Sequence, residues 1–517
     1  MIVCRSFAGR RVAVFGLGRS GLTAAASLLA GGAHVVAWDD GETGRSRAAA
    51  LGVEIADLRV ADWSNFAALV LSPGVPLTHP QPHWTVALAQ AAGCAVIGDT
   101  ELFFRARADA ASHLGHTPRI IAITGTNGKS TTSALTAHLL MSAGVPCALG
   151  GNIGDAVLGL PEFDTTRVYV VELSSYQIDL TPSLHPSAAA LLNITPDHLD
   201  RHGTLQNYAA VKARIFAQLG AGDTAVVALD DPLCRAIAAH IPSSATRVTI
   251  TAEATPASQD PAHAADLTAD LTAEIIADLI AEQGRLFLRR DDRRIEAATF
   301  ADNIALAGAH NGQNVAAAWM LASAVGTPPD ALQHGLATFP GLAHRLEFVG
   351  HLPKRDGRIL FVNDSKGTNA DAAAHALAAF DDVFWIAGGR AKEGGIEPLA
   401  EHFPRVRSAF LVGEAARDFA ATLEGHCPVA ISGDVGRAVV EATTAAAQSP
   451  STSPVVLLSP AAASFDQFAD FEARGDAFKA KLADLPGFVS AAEARAAGKP
   501  RSDIAPNAAA RTSEDGA

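Results

Sequence analysis

The run Arg119-Ile-Ile-Ala-Ile-Thr-Gly-Thr-Asn-Gly-Lys-Ser-Thr-Thr132 sets a β-branched apolar segment against a turn with two glycines, one lysine and several hydroxyls. Ile120 to Ile123 read as a buried strand, and Ser133 to Met141 carry apolar residues at helical spacing. The stretch is therefore a strand, a turn and the start of a helix. Gly125 and Gly128 let the backbone point successive N–H groups inward, where they and the helix N-terminus face one anion. Lys129 would then reach the outer phosphates of a nucleotide, and Ser130 or Thr131 would hold Mg²⁺. The strict spacing G-x-x-x-x-G-K-[ST] is not met, because Ile123 stands five before Gly128. A glycine-rich turn without a ligand is the competing reading.

The rest of the chain bounds what such a loop serves. With 517 residues, 49% hydrophobic and 18% charged, it is a globular chain of several domains. A net charge of −14 argues against a nucleic-acid partner held by general electrostatics, while leaving room for a local basic pocket. The five cysteines, Cys4, Cys94, Cys147, Cys234 and Cys427, are scattered without C-x-x-C spacing. They form neither a zinc nor a disulfide pattern, which fits a reducing cytoplasm. No apolar run approaches the ~18 residues that span a bilayer, and the N-terminus enters a strand without a signal-peptide core. A cytoplasmic protein is expected. Of the 40 basic residues only eight are lysine, and Lys129, Lys212, Lys366 and Lys392 fall within motifs. Arginine does not replace a lysine acting as a compact charge or a reactive amine.

Before the phosphate loop, Arg11 to Phe15 read as a strand, followed by Gly16-x-Gly18-x-x-Gly21, a helix to about Ala30, a strand His34–Trp38 and the acids Asp39 and Asp40. An NAD site, a site for another nucleotide, and purely structural glycine packing all fit this pattern. Ala67 to Val75 is a buried parallel strand ending in a Ser72-Pro73-Gly74 turn, where open α/β sheets bind ligands. Arg105 to Pro118 reads as a link between domains.

Beyond the loop, Gly150 to Gly154 is glycine-rich, and Glu172 ends a buried strand as either a Mg²⁺ ligand or the cap of the following turn. Pro196 to Gly203 gathers Asp197, His198, Asp200 and His202, a candidate metal cluster. Lys212 lies in a helix over Leu205–Leu219, as a partly buried amine or a snorkelling surface lysine. Residues 252–284 look like an insertion. Asn311 and Asn314 share a helix face that would read a base edge, unless Asn311 is an N-cap. Phe339 to Glu347, with Arg345, reads as a second link. Strands near 358–364, 383–387, 408–412 and 454–458 then predict a parallel sheet whose polar strand ends mark a ligand face. From about Ala492 the composition predicts a disordered tail.

Together, Thr124-Gly-Thr-Asn-Gly-Lys-Ser-Thr131, Glu172-Leu-Ser-Ser-Tyr-Gln177, Asn193-Ile-Thr-Pro-Asp-His-Leu-Asp-Arg201, His310-Asn-Gly-Gln-Asn314 and Arg345 resemble the Mur ligases. These are the ATP-dependent amino-acid-adding enzymes of peptidoglycan synthesis, and the resemblance covers roughly residues 10–488. Asn363-Asp-Ser-Lys-Gly-Thr-Asn369 and Ser459-Pro-Ala-Ala-Ala-Ser-Phe-Asp-Gln-Phe468 are similar to the D-glutamate-adding branch. The resemblance implies an α/β chain of three domains. Residues 1–107 would be a Rossmann-like UDP-substrate domain, 108–341 a P-loop ATPase-like centre and 342–490 a Rossmann-like amino-acid domain, with 491–517 a disordered tail.

The same resemblance assigns ligands. Gly18, Arg19, Ser20, Asp39, Asp40, Ser72, Pro73 and Gly74 would hold the UDP end of UDP-N-acetylmuramoyl-L-alanine, with Asn152 and His198 near its muramoyl-alanine end. Gly125, Thr126, Asn127, Gly128, Lys129, Ser130 and Thr131 would hold the ATP phosphates, with Asn311, Asn314, Arg345 and Asp364 around the nucleotide. Ser130, Glu172 and His198 would hold magnesium, and a carbamylated Lys212 would help hold a second ion. Lys366, Thr368, Lys392, Ser464, Phe465 and Phe471 would form the D-glutamate pocket. Lys129, Glu172, His198, Lys212 and Lys366 are the catalytic candidates. A monomer without nucleic-acid or membrane partners is expected. A sister ligase adding another amino acid, a nicotinamide-dependent dehydrogenase and a nucleotide-gated regulatory protein are the competing functions.

Overall fold

A computed structural model describes residues 1–252, 278–290, 293–306, 308–391 and 394–496. Contacts group the chain into two units, Met1–Ala298 with Asn311–Leu336, and Thr299–His310 with Ala337–Ala517. The fold is mixed α/β.

The first unit holds two sheets. One contains β1 (Arg11–Phe15), β2 (His34–Trp38), β3 (Glu54–Ile55), β4 (Phe66–Leu71) and β5 (Ala95–Ile97), all parallel in the order β3-β2-β1-β4-β5. Val12, Ala13 and Val14 are wholly buried, as a strand covered on both faces requires. The chain leaves β1 toward one edge and returns to β4 on the other side, so the switch point lies between β1 and β4. Phe15 is in register with Leu71, and Ser72 N donates to Phe15 O at 3.0 Å. The glycine loop and the Ser72 turn therefore leave the sheet side by side, where a ligand crevice opens in such folds.

Arg105 to Pro118 is not an open link: Asp99–Leu114 is a helix ending at Gly115, whose φ is 72°. The apolar residues that bury it, Leu102, Phe103, Phe104 and Ala106, mostly precede the stretch read as a linker, and Glu101 pairs with Arg105 at 2.7 Å. Arg107 is buried and donates to Pro118 O at 2.8 Å, to His185 O and to Ser187 Oγ.

The second sheet has nine strands: β6 (Arg119–Thr124), β7 (Cys147–Gly151), β8 (Val168–Glu172), β9 (Ala188–Leu191), β10 (Thr224–Ala228), β11 (Thr246–Ala252), β12 (Leu279–Glu282), β13 (Arg285–Arg290) and β14 (Arg293–Thr299). Their order is β14-β13-β12-β11-β10-β9-β6-β8-β7, so β6 lies between β9 and β8, parallel to both. The insertion reading fails at its end: Leu279, Ile280 and Ala281 are buried in β12, a short apolar strand that the Ala/Thr/Asp-rich sequence before it hid. Residues 253–277 lie outside the described residues. One apolar core runs from Val12 and Val14 through Phe103 and Tyr169 to Ala189 and Val227, joining both sheets.

The second unit holds β15 (Glu347–Lys354), β16 (Gly357–Asn363), β17 (Val383–Gly388), β18 (Val406–Val412), β19 (Val429–Gly433), β20 (Val455–Leu458) and β21 (Val489–Ser490), in the order β19-β18-β17-β20-β16-β15-β21. The sheet is mixed rather than parallel, because β15 runs antiparallel to β16 and β21. A two-residue turn, Arg355-Asp356, joins β15 to β16, and Gly357 opens β16 opposite Lys354. The expected tail begins instead as a helix, Ala491–Ala496, and residues 497–517 lie outside the described residues. No described helix is long and apolar enough to cross a membrane.

Candidate active site

β6 feeds Gly125 and Gly128 into conformations that side chains rarely adopt, with φ of 154° and 81°. A Cβ at Gly128 would also run into Asn314 Oδ1. That amide is committed to the loop: Thr132 Oγ1 donates to Asn314 Oδ1 at 3.2 Å, and Asn314 Nδ2 donates to Asn311 Oδ1 at 3.0 Å. Asn311 is buried inside the helix Ala309–Ala324, so it is no N-cap, and Asn314 braces the loop. Asn193, just beyond β9, supports the other side. Its carbonyl accepts from Thr126 N at 2.8 Å and its Oδ1 from Asn127 N at 2.7 Å. Ser130 is half-buried and Thr131 buried at the start of the helix Lys129–Ser142.

Two lysines converge on one carbonyl. Lys129 Nζ donates to Gly125 O at 3.0 Å and Thr126 O at 2.7 Å. Lys212 Nζ donates to Gly125 O at 2.8 Å and to Thr124 Oγ1 at 3.4 Å, and sits 4.6 Å from the centre of the Tyr208 ring. Lys212 is 1% exposed, in the last turn of the helix Leu205–Ala213, so the snorkelling reading does not hold. Burial first, and then the charge of Lys129, pull its pKa down to about 7. A large neutral fraction of this amine is therefore present near neutral pH.

Glu172 ends β8 in register with Ile123 and is 1% exposed. Its Oε1 accepts from Asn152 Nδ2 at 2.7 Å, while Oε2 is buried without a hydrogen-bond partner. The following turn is capped by Ser174 and Gln177 in a capping box, so Glu172 is not its cap. A buried carboxylate oxygen left unpaired is costly, and a hard cation is its natural partner. The donors present therefore fit magnesium. No group of three or more His, Cys, Asp or Glu among the described residues could hold a metal ion, so an ion here would complete its shell with substrate oxygens and water.

The acid–histidine cluster divides. His202 is buried and shares a hydrogen bond with Ser175 Oγ at 2.9 Å; burial and the charge of Lys212 lower its pKa to about 4, so it is a neutral structural residue. His198 is 46% exposed in its side chain, adopts φ 53°, and lies 5.0 Å from the Tyr176 ring. It pairs with Asp197 Oδ2 at 3.3 Å while remaining accessible to a ligand.

At the first sheet, a Cβ on Gly21 would strike Gly16 O, and one on Gly16 would strike Ser72, so those glycines permit close packing. Asp39 spends its carboxylate on the chain, accepting from Leu17 N at 2.5 Å and Gly41 N at 2.7 Å. Asp40 pairs with Arg59 at 3.2 Å on the surface. Arg19 donates to Gly154 O, and Ser20 approaches the buried Asp99. Gly18 has open space around its Cα, while Ser72, Pro73 and Gly74 form the neighbouring turn.

In the second unit, Asp364 follows β16, accepts from Ser459 Oγ at 2.7 Å and Leu346 N at 3.2 Å, and is pushed by burial to a pKa of about 7. Arg345 precedes it on an irregular loop. Lys366 is exposed and lies 5.7 Å from the Phe471 ring. Thr368 is half-buried, Ser464 buried and Phe465 66% exposed. Lys392 lies outside the described residues. Sequence reasoning missed Arg474, which is 1% exposed and binds Ser365 O at 2.8 Å, Ser365 Oγ at 3.0 Å and Ala462 O at 3.0 Å, tying the loops after β16 and β20 together. Its neighbours are distant in sequence, so no local signal marked it.

The profile of the Mur ligase middle domain matches residues 123–322, the part of the chain that carries this phosphate loop. The UDP-N-acetylmuramoylalanine–D-glutamate ligase of Caulobacter sp. (strain K31) is 52% identical over 485 residues, 94% of this chain and 98% of that one. The chain belongs to the Mur ligase family. The equally named enzyme of Nitrobacter hamburgensis is 50% identical to this Mur ligase over 95% of the chain and 100% of its own length. Among solved structures, the UDP-N-acetylmuramate–alanine ligase MurC of Thermotoga maritima superposes with a TM-score of 0.50 at 16% identity, covering 90% of this Mur ligase and 98% of that chain. That likeness speaks for the fold.

Proposed function

We propose that this Mur ligase joins D-glutamate to UDP-N-acetylmuramoyl-L-alanine at the expense of ATP, in the cytoplasm. The observation that carries the reading is 52% identity over nearly the full length to a ligase of that name. The site's chemistry agrees with it. A carboxylate must be activated before an amine can displace from it, and transfer of the γ-phosphoryl group gives an acyl phosphate. The amine of D-glutamate attacks that carbonyl, a tetrahedral intermediate forms, and phosphate leaves. Positioning and charge are most of such catalysis.

In this reading the residues 1–107, 108–341 and 342–490 act as three domains for UDP-substrate, ATP and amino acid. The backbone of Gly125–Gly128 and the N-terminus of the following helix hold the phosphates. Lys129 exchanges its two carbonyl partners for phosphate oxygens. Glu172, Ser130 and His198 would hold Mg²⁺, which supplies positive charge against those oxygens. A carbamate on Lys212 would add a further anionic ligand, made possible by the neutral amine. Asn152, fixed on Glu172, and His198 orient the alanyl end; Lys366, Lys392 and Thr368 receive the carboxylates of D-glutamate.

The direct test is phosphate release from ATP and Mg²⁺ with UDP-N-acetylmuramoyl-L-alanine, supplying D-glutamate, L-glutamate, glycine or meso-diaminopimelate in turn. Release with D-glutamate alone is expected. Release with another amino acid moves the protein to a sister ligase; ATP binding with no turnover makes it a regulatory protein. Glu172→Gln should raise the Mg²⁺ concentration for half-maximal activity about 10- to 100-fold, and weaken Mg²⁺ binding by calorimetry with a non-hydrolysable ATP analogue. An unchanged Mg²⁺ requirement removes Glu172 from the metal's shell.

A further inference from the structure

Arg201 lies one turn beyond His198, in the short helix Leu199–His202 of the second sheet's region, yet its guanidinium serves the first sheet. Nη1 donates to Gly74 O at 2.8 Å, and Nη2 donates to Val75 O at 2.8 Å and Pro73 O at 3.4 Å. The same group lies 4.5 Å over the Tyr176 ring, which also faces His198. One planar cation thus collects three successive carbonyls of the turn after β4 while stacked beside the histidine on its own segment. A lysine, with one compact charge, does not reproduce that fork and stack.

We propose that Arg201 is a positioning residue that sets the span between the two halves of the UDP-substrate site, the Ser72–Gly74 turn and the segment bearing His198. This rests on the function proposed above, which places the UDP end at that turn and the alanyl end near His198. A ligand that bridges two half-sites gains from the second only when the protein holds them at the ligand's own length. Losing that match forfeits part of the ~10²- to 10⁴-fold gain that linking two ends can give. Arg201 touches neither end of such a ligand in this role; it acts through the turn. The sheets have other ties remote from it, including Glu101 Oε2 to Ser183 N at 2.9 Å and the shared apolar core, so removing it leaves the unit assembled.

The experiment compares calorimetric binding of UDP, of UDP-N-acetylmuramoyl-L-alanine and of ADP to the full-length wild-type protein, Arg201→Ala and Arg201→Lys. In Arg201→Ala, affinities for UDP and ADP are expected to stay within about threefold, and affinity for the full substrate to fall about 10- to 100-fold. KM for that substrate rises accordingly with a smaller change in kcat. Arg201→Lys recovers little, and added guanidinium ion restores part of the loss in Arg201→Ala without affecting wild type. A variant that keeps the full gain from UDP to the complete substrate overturns the proposal alone, as does an equal loss for UDP and the complete substrate. A wild-type protein that gains nothing from the muramoyl-alanine part overturns the reading of the site itself.

Discussion

Lys129→Ala is expected to lower turnover by about 10²- to 10³-fold, the scale of losing one preorganised charge from a phosphoryl-transfer site. The loss is one of charge more than of fold. Gly125 O keeps a donor in the variant, because Lys212 Nζ already reaches it at 2.8 Å. Asn193 and Asn314 hold the remaining loop through bonds in which Lys129 takes no part. Binding of UDP-N-acetylmuramoyl-L-alanine should therefore change little by calorimetry while phosphate release nearly disappears. Comparable loss of both would mean that the substitution collapses the loop, and would remove the evidence it offers for phosphate contact.

Lys212→Ala should cost a similar about 10²- to 10³-fold, and the loss should be partly reversible. With its pKa near 7, the amine would react with CO₂ in its neutral form in the proposed role, a C–N bond forming as one proton leaves to solvent. The group on the Gly125 carbonyl would then become a carboxylate. Acetate or formate added to the alanine variant fills the space with the same functional group and should restore part of the rate. The direction with pH follows: below about pH 7 the amine protonates and carbamate formation fails. With dissolved CO₂ held equal at both pH values, wild-type enzyme freed of CO₂ should recover more slowly at pH 6 than at pH 8. Carbon-13 NMR with labelled bicarbonate reads the adduct directly. Full activity of the untreated variant would exclude Lys212 from the mechanism.

The order of elements was legible where each carries its own signal. The β1 run, its glycine loop and the Ser72 turn lie within one unit of sequence, and so do the phosphate loop and the strand ending at Glu172. Features that depend on distant neighbours were not. Lys212 sits among polar and apolar residues that fit a surface helix; the carbonyl that buries its amine belongs to Gly125, 87 positions earlier. Asn311 could equally have been a cap, because a helix begins nearby, whereas its partner, Asn314, braces the loop. The second half of the helix Asp99–Leu114 lies within Arg105–Pro118, which reads as a link because its composition is polar; Leu102 to Phe104, just before it, supply the buried face. β12 is only four residues long and β15 runs antiparallel to both its neighbours, so pairing partners, more than alternation, decide the outcome. Arg201 stood inside a motif without any local reason to act on a turn 126 to 128 positions away.

The brace beneath Gly128 bears on how the protein comes into being. Thr132 and Asn314 are 182 positions apart. During synthesis the whole Thr124–Thr131 motif leaves the ribosome well before the asparagine that steadies it. A chain ending near residue 300 carries every phosphate-loop residue and lacks the amide against which the loop closes. The loop's brace is therefore completed late in synthesis, as a property of the finished first unit.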